Sequence, residues 1–252
     1  MTIGELYLRF VAVRKCGGCG EILGYERLND ALCEKCRLRW NEIILESCGE
    51  CFKPARECSC MPKKLSASGA LCLRKMFFYQ KDAAYTPEMR LLYNHKHKKL
   101  RRITDFVAEQ LLLAIRCEFE NLGIDDAERQ VMITFVPRSK RSRRTHGFDQ
   151  SELIARSLSR RIGCEYTRTF DTRLFADSQK DLDARGRVSN ARKNIYVKSK
   201  EGISGKYVIL LDDVVTTGAS MSVCTKYLMD IGALGVLCFS LACKSMNGKR
   251  QS

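Results

Sequence analysis

The chain has no long hydrophobic run: its 252 residues contain no stretch of about 18 apolar residues, which excludes an obvious membrane-spanning helix. Residues 1–13 hold neither an extended apolar core nor a small-residue cleavage site, so no export signal is predicted. Acidic residues are also scarce, with 29 Asp and Glu against 44 Lys and Arg. We therefore expect a cytoplasmic protein in a reducing compartment, with a hydrophobic content of 45% that suffices for one full domain and a small module.

Cysteine is abundant by contrast, and eight of the 14 cysteines lie between Cys16 and Cys60. Two Cys-x-x-Cys pairs, 13 residues apart, are followed by a third such pair and a tighter Cys-Ser-Cys. In a reducing compartment, clustered thiolates bind metal more often than they form disulfides, and this spacing turns pairs of sulfurs toward one tetrahedral ion. Serial pairing predicts two structural Zn²⁺ sites, one from Cys16, Cys19, Cys33 and Cys36 and the other from Cys48, Cys51, Cys58 and Cys60.

The residues leave alternatives open for the metal. An interleaved pairing of the cysteines satisfies the same spacing, the single residue between Cys58 and Cys60 is a strained arrangement, and four thiolates also suit an iron–sulfur cluster. Four thiolates leave no position for water, so a structural role is predicted, and we expect metal removal to unfold residues 16–60 and spare the rest. The remaining cysteines lie singly in apolar segments and are predicted to be buried: Cys72, Cys117, Cys164, Cys224, Cys238 and Cys243.

Positive charge is concentrated in residues 63–102, with 11 basic residues against 2 acidic, and in residues 138–200, with 17 against 7. The first segment opens with a polar stretch, residues 63–68, that we expect to be a linker. It ends in a dense basic run beside Tyr93, which predicts contacts with a polyanion, nucleic acid above all. The candidate residues for these contacts are Lys96, Lys98, Lys99, Arg101 and Arg102. A solvated cationic face without a partner is the alternative.

The most specific motif is an apolar run that ends in two carboxylates. Residues 207–211 are typical of a buried parallel strand, and residues 219–231 have helical spacing. The loop between them would present backbone N–H and hydroxyl groups at the positive end of that helix, where a phosphate is held, while Asp212 and Asp213 reach sugar hydroxyls. The loop candidates are Thr216, Thr217, Gly218, Ala219 and Ser220. An Asp-capped helix after a strand is the structural alternative.

A second apolar strand, residues 131–136, leads through Pro137 into a basic loop before a helix over residues 148–162. Carboxyl ends of central parallel strands share one crevice, so this loop should face the first one and bind pyrophosphate. Its candidate residues are Arg138, Lys140, Arg141, Arg143 and Arg144. Residues 173–193 are polar, with one glycine, and predict a mobile loop that orders over phosphates through Gln179, Arg187 and Asn190, or else an exposed surface loop.

The carboxylate pair and Thr-Thr-Gly loop resemble the signature of type I phosphoribosyltransferases, which implies that they hold the ribose hydroxyls and the 5-phosphate of phosphoribosyl pyrophosphate. Together with Pro137, the basic loop and the cysteine-rich segment, they are similar to the ComF competence-protein family. That family usually has Arg-Gly-Phe-Asn-Gln where this chain has His146-Gly147-Phe148-Asp149-Gln150. The resemblance implies a phosphoribosyl pyrophosphate site with Mg²⁺, handling of single-stranded DNA in natural transformation, and a competence helicase as partner.

We therefore predict an α/β protein with a zinc-ribbon module over residues 1–62 and a parallel-sheet, phosphoribosyltransferase-like domain over residues 63–252. The sheet strands are predicted over residues 76–79, 131–136, 169–175, 207–211 and 236–242, with a helix over residues 103–115 on one face. Residues 70–95 show no decisive polar group set for an acceptor, and no catalytic residue is identified. Two functions stay open: a DNA-handling protein that senses phosphoribosyl pyrophosphate, or an active phosphoribosyltransferase that uses a nucleobase-like acceptor.

Overall fold

The computed structural model describes residues 14–79, 86–173 and 184–245, and its centre is a parallel β-sheet. The strands of the described residues are β1 (Ala70–Tyr79), β2 (Val131–Phe135), β3 (Glu165–Tyr166), β4 (Phe170–Thr172), β5 (Ile195–Val197), β6 (Tyr207–Val215) and β7 (Gly235–Lys244). Five of them form the sheet in the order β1-β7-β6-β2-β3, and every neighbouring pair is parallel. β4 and β5 pair antiparallel in a separate small sheet.

Helices cover both faces of the sheet. They are α1 (Glu34–Ile43), α2 (Lys63–Ser66), α3 (Pro87–His97), α4 (Arg101–Leu122), α5 (Ala127–Gln130), α6 (Lys140–His146), α7 (Gln150–Ile162), α8 (Ala184–Asn194) and α9 (Ala219–Asp230). α4 packs on α7 over one face, while α9 packs on α2 and α8 over the other. The predicted α/β class, a parallel sheet with a cysteine-rich N-terminal segment, is confirmed.

Residues 208–211 of β6 are apolar without interruption because the strand is buried on both faces. Ile209 and Leu211 belong to the core under α4 and α7, whereas Val208 and Leu210 belong to the core under α9. Central strands of parallel sheets have this continuous apolar pattern. β6 therefore holds the middle of the sheet, and its carboxyl end opens between the two helical layers.

The cysteine-rich segment shares the first of these cores. Trp40 of α1 is 2% exposed, its ring contacts Phe77 and Phe106 at centroid distances of 5.9 and 5.2 Å, and its Nε1 donates to Gln110 Oε1 over 2.9 Å. Leu23 and Ile43 lie in the same cluster as sheet residues. The segment is thus packed continuously against the sheet, and a boundary at residues 62 and 63 stays a prediction.

Several local predictions are wrong. Residues 169–175 were predicted to join the main sheet, but Phe170–Thr172 pairs with β5 instead, and the edge beside β2 is taken by β3. The linker predicted at residues 63–68 contains the helix α2, whose Leu65 is fully buried. Part of the basic loop is the helix α6, and residues 184–193 of the predicted mobile loop belong to α8. Cys117 is exposed, whereas the other five single cysteines are buried as predicted.

Within the part of the chain that the structure describes, no helix is both long enough and apolar enough to cross a membrane.

Candidate functional site

The eight N-terminal cysteines form two groups in the serial pairing. The first cysteine group is Cys16, Cys19, Cys33 and Cys36, and the second is Cys48, Cys51, Cys58 and Cys60; within each, the sulfur atoms all lie within 4.8 Å of one another. Four sulfurs at this separation suit a tetrahedral Zn²⁺, which would fold the segment without taking part in chemistry.

Backbone amides support thiolates in both groups. The N–H groups of Gly18 and Cys33 donate to Cys16 Sγ over 3.3 and 3.2 Å, and Glu50 N–H donates to Cys48 Sγ over 3.5 Å. Burial raises the pKa of Cys16, but these amide bonds outweigh burial and lower the pKa to about 7. A thiol that ionises this readily is a suitable metal ligand, whereas burial raises the pKa of Cys19 and Cys36, so a bound cation would be needed to ionise all four thiols.

The loops after β2 and β6 meet at one edge of the sheet, as the sequence predicts. Phe135 is the register partner of Leu211, and Val136 N–H donates to Leu211 O over 2.8 Å. β6 continues past Leu211 to Val215, so Asp212 and Asp213 belong to the strand and not to the loop that follows it. We call the space at this edge the crevice.

A buried polar cluster forms the floor of the crevice. Arg138 N–H donates to Asp149 Oδ2 over 2.9 Å, and Arg138 Nη2 lies 3.4 Å from Asp213 Oδ2. The charges of Arg138 and Asp213 act on His95 of α3 and shift its pKa in opposite directions. His95 Nε2 lies 3.4 Å from Thr104 Oγ1. Three buried atoms of this cluster have no partner among the described residues: Arg138 Nη1, Asp149 Oδ1 and His95 Nδ1.

Burial controls the protonation of this cluster. It raises the pKa of Asp149 to about 6, where the Asp213 and Glu152 charges add to the shift and Arg138 opposes it. It lowers the pKa of His95 to about 4, with a smaller contribution from Arg138 against the opposing Asp213. Burial and the neighbouring Asp213 also raise the pKa of Asp212 well above its usual range. Burial thus disfavours the ionised forms of Asp149 and Asp212, and a cation or a hydroxyl donor would stabilise them.

The loop of residues 216–220, hereafter the Thr-Thr-Gly loop, connects β6 to α9. Gly218 precedes the first helical residue with φ of 70°, a left-handed conformation that favours glycine. Thr216 is exposed, Thr217 and Ser220 are partly exposed, and Gly218 and Ala219 are buried. The loop therefore presents hydroxyl groups and the amino end of a 12-residue helix at the same edge as Asp212.

The other predicted phosphate residues are spread more widely. Arg143 is bound to Asp171 at 2.5 Å, Lys140 begins α6, and Arg144 is exposed; nothing is described for the Arg141 side chain. Asn190 Oδ1 accepts from Asn194 Nδ2 over 2.7 Å within α8. Gln179 and the side chain of Arg187 lie outside the described residues. Of the predicted basic loop, Arg138 is the residue that the structure brings into the crevice floor.

A cationic groove of about 780 Å³ lies between the first cysteine group and α3. Among the described residues its lining contains no carboxylate, and its cations are Arg14, Lys15, Arg90, Lys98 and Arg102. Tyr93 also lines it, is 59% exposed, and contacts the ring of His97 at a centroid distance of 4.1 Å and an interplanar angle of 36°. The structure thus combines positive charge with an exposed aromatic ring.

Two of the predicted nucleic-acid residues, Lys98 and Arg102, line the cationic groove, although Arg102 also donates to Lys15 O and Asp30 O. Lys99 and Arg101 are exposed beside it, and the side chain of Lys96 is not among those described. Sequence reasoning missed Arg14, Lys15 and Arg90, since these residues lie far apart in the chain. It also missed His95, which the basic run around it suggested was a surface residue.

The chain is similar in sequence to curated proteins and in structure to solved ones. No family model matches the chain. The DNA utilization protein YhgH of Escherichia coli O157:H7 is 30% identical over 180 residues, which are 69% of this chain and 77% of that protein. The same-named protein of Salmonella typhimurium is 28% identical over 228 residues, or 85% of this chain and 97% of that protein. A solved hypoxanthine phosphoribosyltransferase of Staphylococcus aureus is 12% identical and covers 64% of this chain and 76% of its own, with a TM-score of 0.36.

Fold and cysteine groups define an α/β protein with a parallel sheet and a cysteine-rich segment suited to zinc. The chain belongs to the ComF family, of which these DNA utilization proteins are members.

Proposed function

We propose that the chain binds single-stranded DNA in the cationic groove and phosphoribosyl pyrophosphate in the crevice, and so handles DNA in natural transformation. The observation that carries the proposal is the groove itself, where five cations and an exposed tyrosine converge without a carboxylate in the lining. Single-strand binding proteins combine a positive groove for the backbone with aromatic rings for the bases. The relatives' name, DNA utilization protein, supports the same role.

Binding to a labelled single-stranded oligonucleotide, followed by fluorescence anisotropy at several salt concentrations, tests the groove. Replacing Arg90 and Lys98 by Ala should weaken binding and reduce the salt slope by about 1.4, since each lost phosphate contact removes about 0.7. Tyr93→Ala should cost about 1–3 kcal/mol if a base stacks on its ring. Affinity for the oligonucleotide should fall in these variants while the metal content of both cysteine groups stays unchanged.

The matched control replaces Lys198 and Lys200, two exposed cations outside the groove, by Ala. It removes the same charge, so an equal weakening of binding by both pairs would show that net charge alone attracts the DNA. That result would contradict a specific groove.

Support for phosphoribosyl pyrophosphate binding comes from the crevice. Asp212 and the Thr-Thr-Gly loop share one edge with Arg138, whose buried Nη1 has no partner within the part of the chain that the structure describes. Carboxylate oxygens fit Mg²⁺, which would bridge ribose and pyrophosphate oxygens, and the loop suits a phosphate. Lys140, Arg143 and Arg144 stand nearby on α6 as further cations.

Titration calorimetry with phosphoribosyl pyrophosphate and Mg²⁺ tests the crevice. We expect Mg²⁺-dependent binding that is lost in Asp212→Ala, while DNA binding persists because the groove is a separate site.

Incubation with a panel of nucleobase acceptors distinguishes the alternative function. Acceptor-dependent release of pyrophosphate, abolished by Asp212→Ala in a folded protein, would establish a transferase instead.

A further inference from the structure

The segment that follows the second cysteine group packs against the Thr-Thr-Gly loop. Two residues after Cys60 the chain reaches Pro62, and a Cβ placed on Gly218 would stand 3.1 Å from Pro62 Cγ and 3.5 Å from Leu65 Cβ. Leu65 is fully buried in the same core as Val215, the last residue of β6. The segment that leaves the second cysteine group therefore forms the wall against which the loop rests.

A buried lysine makes a second connection. Lys75 of β1 is 1% exposed, its Nζ donates to Cys60 O over 2.7 Å, and its charge acts on Cys58, where it lowers the pKa against the larger effect of burial. A buried ammonium is costly unless it is paired. Four thiolates around one Zn²⁺ carry a net charge of about −2, so the metal-loaded group supplies the anionic partner that Lys75 requires.

The same lysine belongs to a row of residues that ends in the crevice. Lys75 is the register partner of Ser240 on β7, and Ser240 is the register partner of Asp212 on β6. Ser240 is fully buried and its Oγ has no hydrogen-bond partner among the described residues, so the strand ladder, and not side-chain hydrogen bonding, links these three positions. The second cysteine group is thus joined to the crevice both through the sheet and through Pro62.

The first cysteine group has different neighbours. A Cβ on Gly17 would lie 3.0 Å from Leu91 and Ile103 side chains, and a Cβ on Gly18 would lie 3.2 Å from Pro87. These residues belong to α3 and α4, on the side of the cationic groove. The first cysteine group therefore packs on helices that line the groove, one of which also carries His95, whereas the segment after the second group packs against the loop, so the two groups can be compared within one molecule.

We propose that the metal-loaded second cysteine group positions the Thr-Thr-Gly loop, so that disrupting this group weakens phosphate binding in the crevice. The first cysteine group has no such effect. This inference rests on the proposed crevice function for its ligand, and it reverses the expectation from sequence that metal removal spares the crevice. Pro62 and Lys75 are positioning residues, since they act on the loop and not on the ligand.

The test compares Cys51→Ser in the second group with Cys19→Ser in the first, two partly exposed thiols, at a temperature where circular dichroism shows both variants folded. Metal content, affinity for phosphoribosyl pyrophosphate with Mg²⁺, and amide hydrogen exchange of residues 216–222 are measured. Cys51→Ser should lower the affinity by about tenfold or more, as loss of a supporting shell does, and accelerate the exchange. Cys19→Ser should leave the affinity unchanged and should accelerate the exchange of residues 216–222 no more than that of the sheet core.

Pro62→Ala separates positioning from metal loss. It keeps all eight thiols, so both metals should remain, yet the affinity should fall and the exchange of residues 216–222 should rise. An equal effect of Cys19→Ser and Cys51→Ser, or unchanged exchange in Cys51→Ser, would overturn the inference. If the wild-type protein does not bind phosphoribosyl pyrophosphate, the proposed function fails, but exchange in the ligand-free protein still decides the positioning role.

Discussion

The buried carboxyl group of Asp149 accepts a hydrogen bond from Arg138 N–H that the amide oxygen of an asparagine could also accept. Its side chain is 3% exposed, and one oxygen accepts from Arg138 N–H while the other has no partner among the described residues. Burial raises its pKa from 3.8 to about 6. The folded protein therefore holds this proton more tightly than the unfolded chain, and the contribution of Asp149 to the free energy of unfolding falls as pH rises from about 4 to about 6.

Asp149→Asn should remove this penalty. We expect the variant to match the wild type in stability near pH 4 and to exceed it by about 2–3 kcal/mol at pH 7, because each unit of pKa shift is worth about 1.4 kcal/mol. Urea unfolding of both proteins at several pH values measures the difference. A difference that stays constant with pH would mean that Asp149 is not protonated on folding.

The burial of His95 could not be predicted from its neighbours in the sequence. Its neighbours in the chain are basic, and the run suggests a solvent-exposed surface. The structure leaves His95 2% exposed because it turns toward Thr104 of α4, while Tyr93 and Asn94 of the same helix face the groove. For the cysteines, the spacing predicted which residues could hold a metal but allowed both a serial and an interleaved pairing, and the structure shows the serial one.

At the scale of elements, boundaries that depend on a partner strand could not be predicted. β6 was expected to end at Leu211, where the apolar run stops, but it continues because β7 supplies register partners as far as Cys243 for Val215. A hydrophobic pattern records burial and not hydrogen bonding across strands, so it ends where burial ends.

Element boundaries that depend on a local sequence signal could be predicted. α4 was expected to end at residue 115 but runs to Leu122, where Gly123 stops it with φ of 65°. A glycine just past a helical pattern is the usual stop signal, so this end was predictable. The pairing of Phe170–Thr172 with β5 was not, because β5 lies more than 20 residues further along and the pairing depends on tertiary contacts.

For the whole molecule, the shared core decides how the parts unfold. The chain has a single tryptophan, Trp40, which lies in α1 between the cysteine-rich segment and the sheet. Its emission therefore reports the contact between them, whereas far-UV circular dichroism reports the sheet and helices together. Continuous packing of the kind seen around Trp40 makes two neighbouring regions unfold as one unit.

Chelating both metals should thus destabilise the entire described fold and not residues 16–60 alone. Structural zinc contributes on the order of 10 kcal/mol, which is comparable with the whole stability of a domain at about 5–15 kcal/mol. We expect Trp40 fluorescence and far-UV ellipticity to melt together in the metal-loaded protein, and both midpoints to fall together after chelation. A sheet signal that keeps its midpoint while the Trp40 signal is lost would instead mean that the cysteine-rich segment unfolds alone. Readdition of Zn²⁺ should restore both transitions, because chelation removes the metal and leaves the cysteine thiols covalently intact.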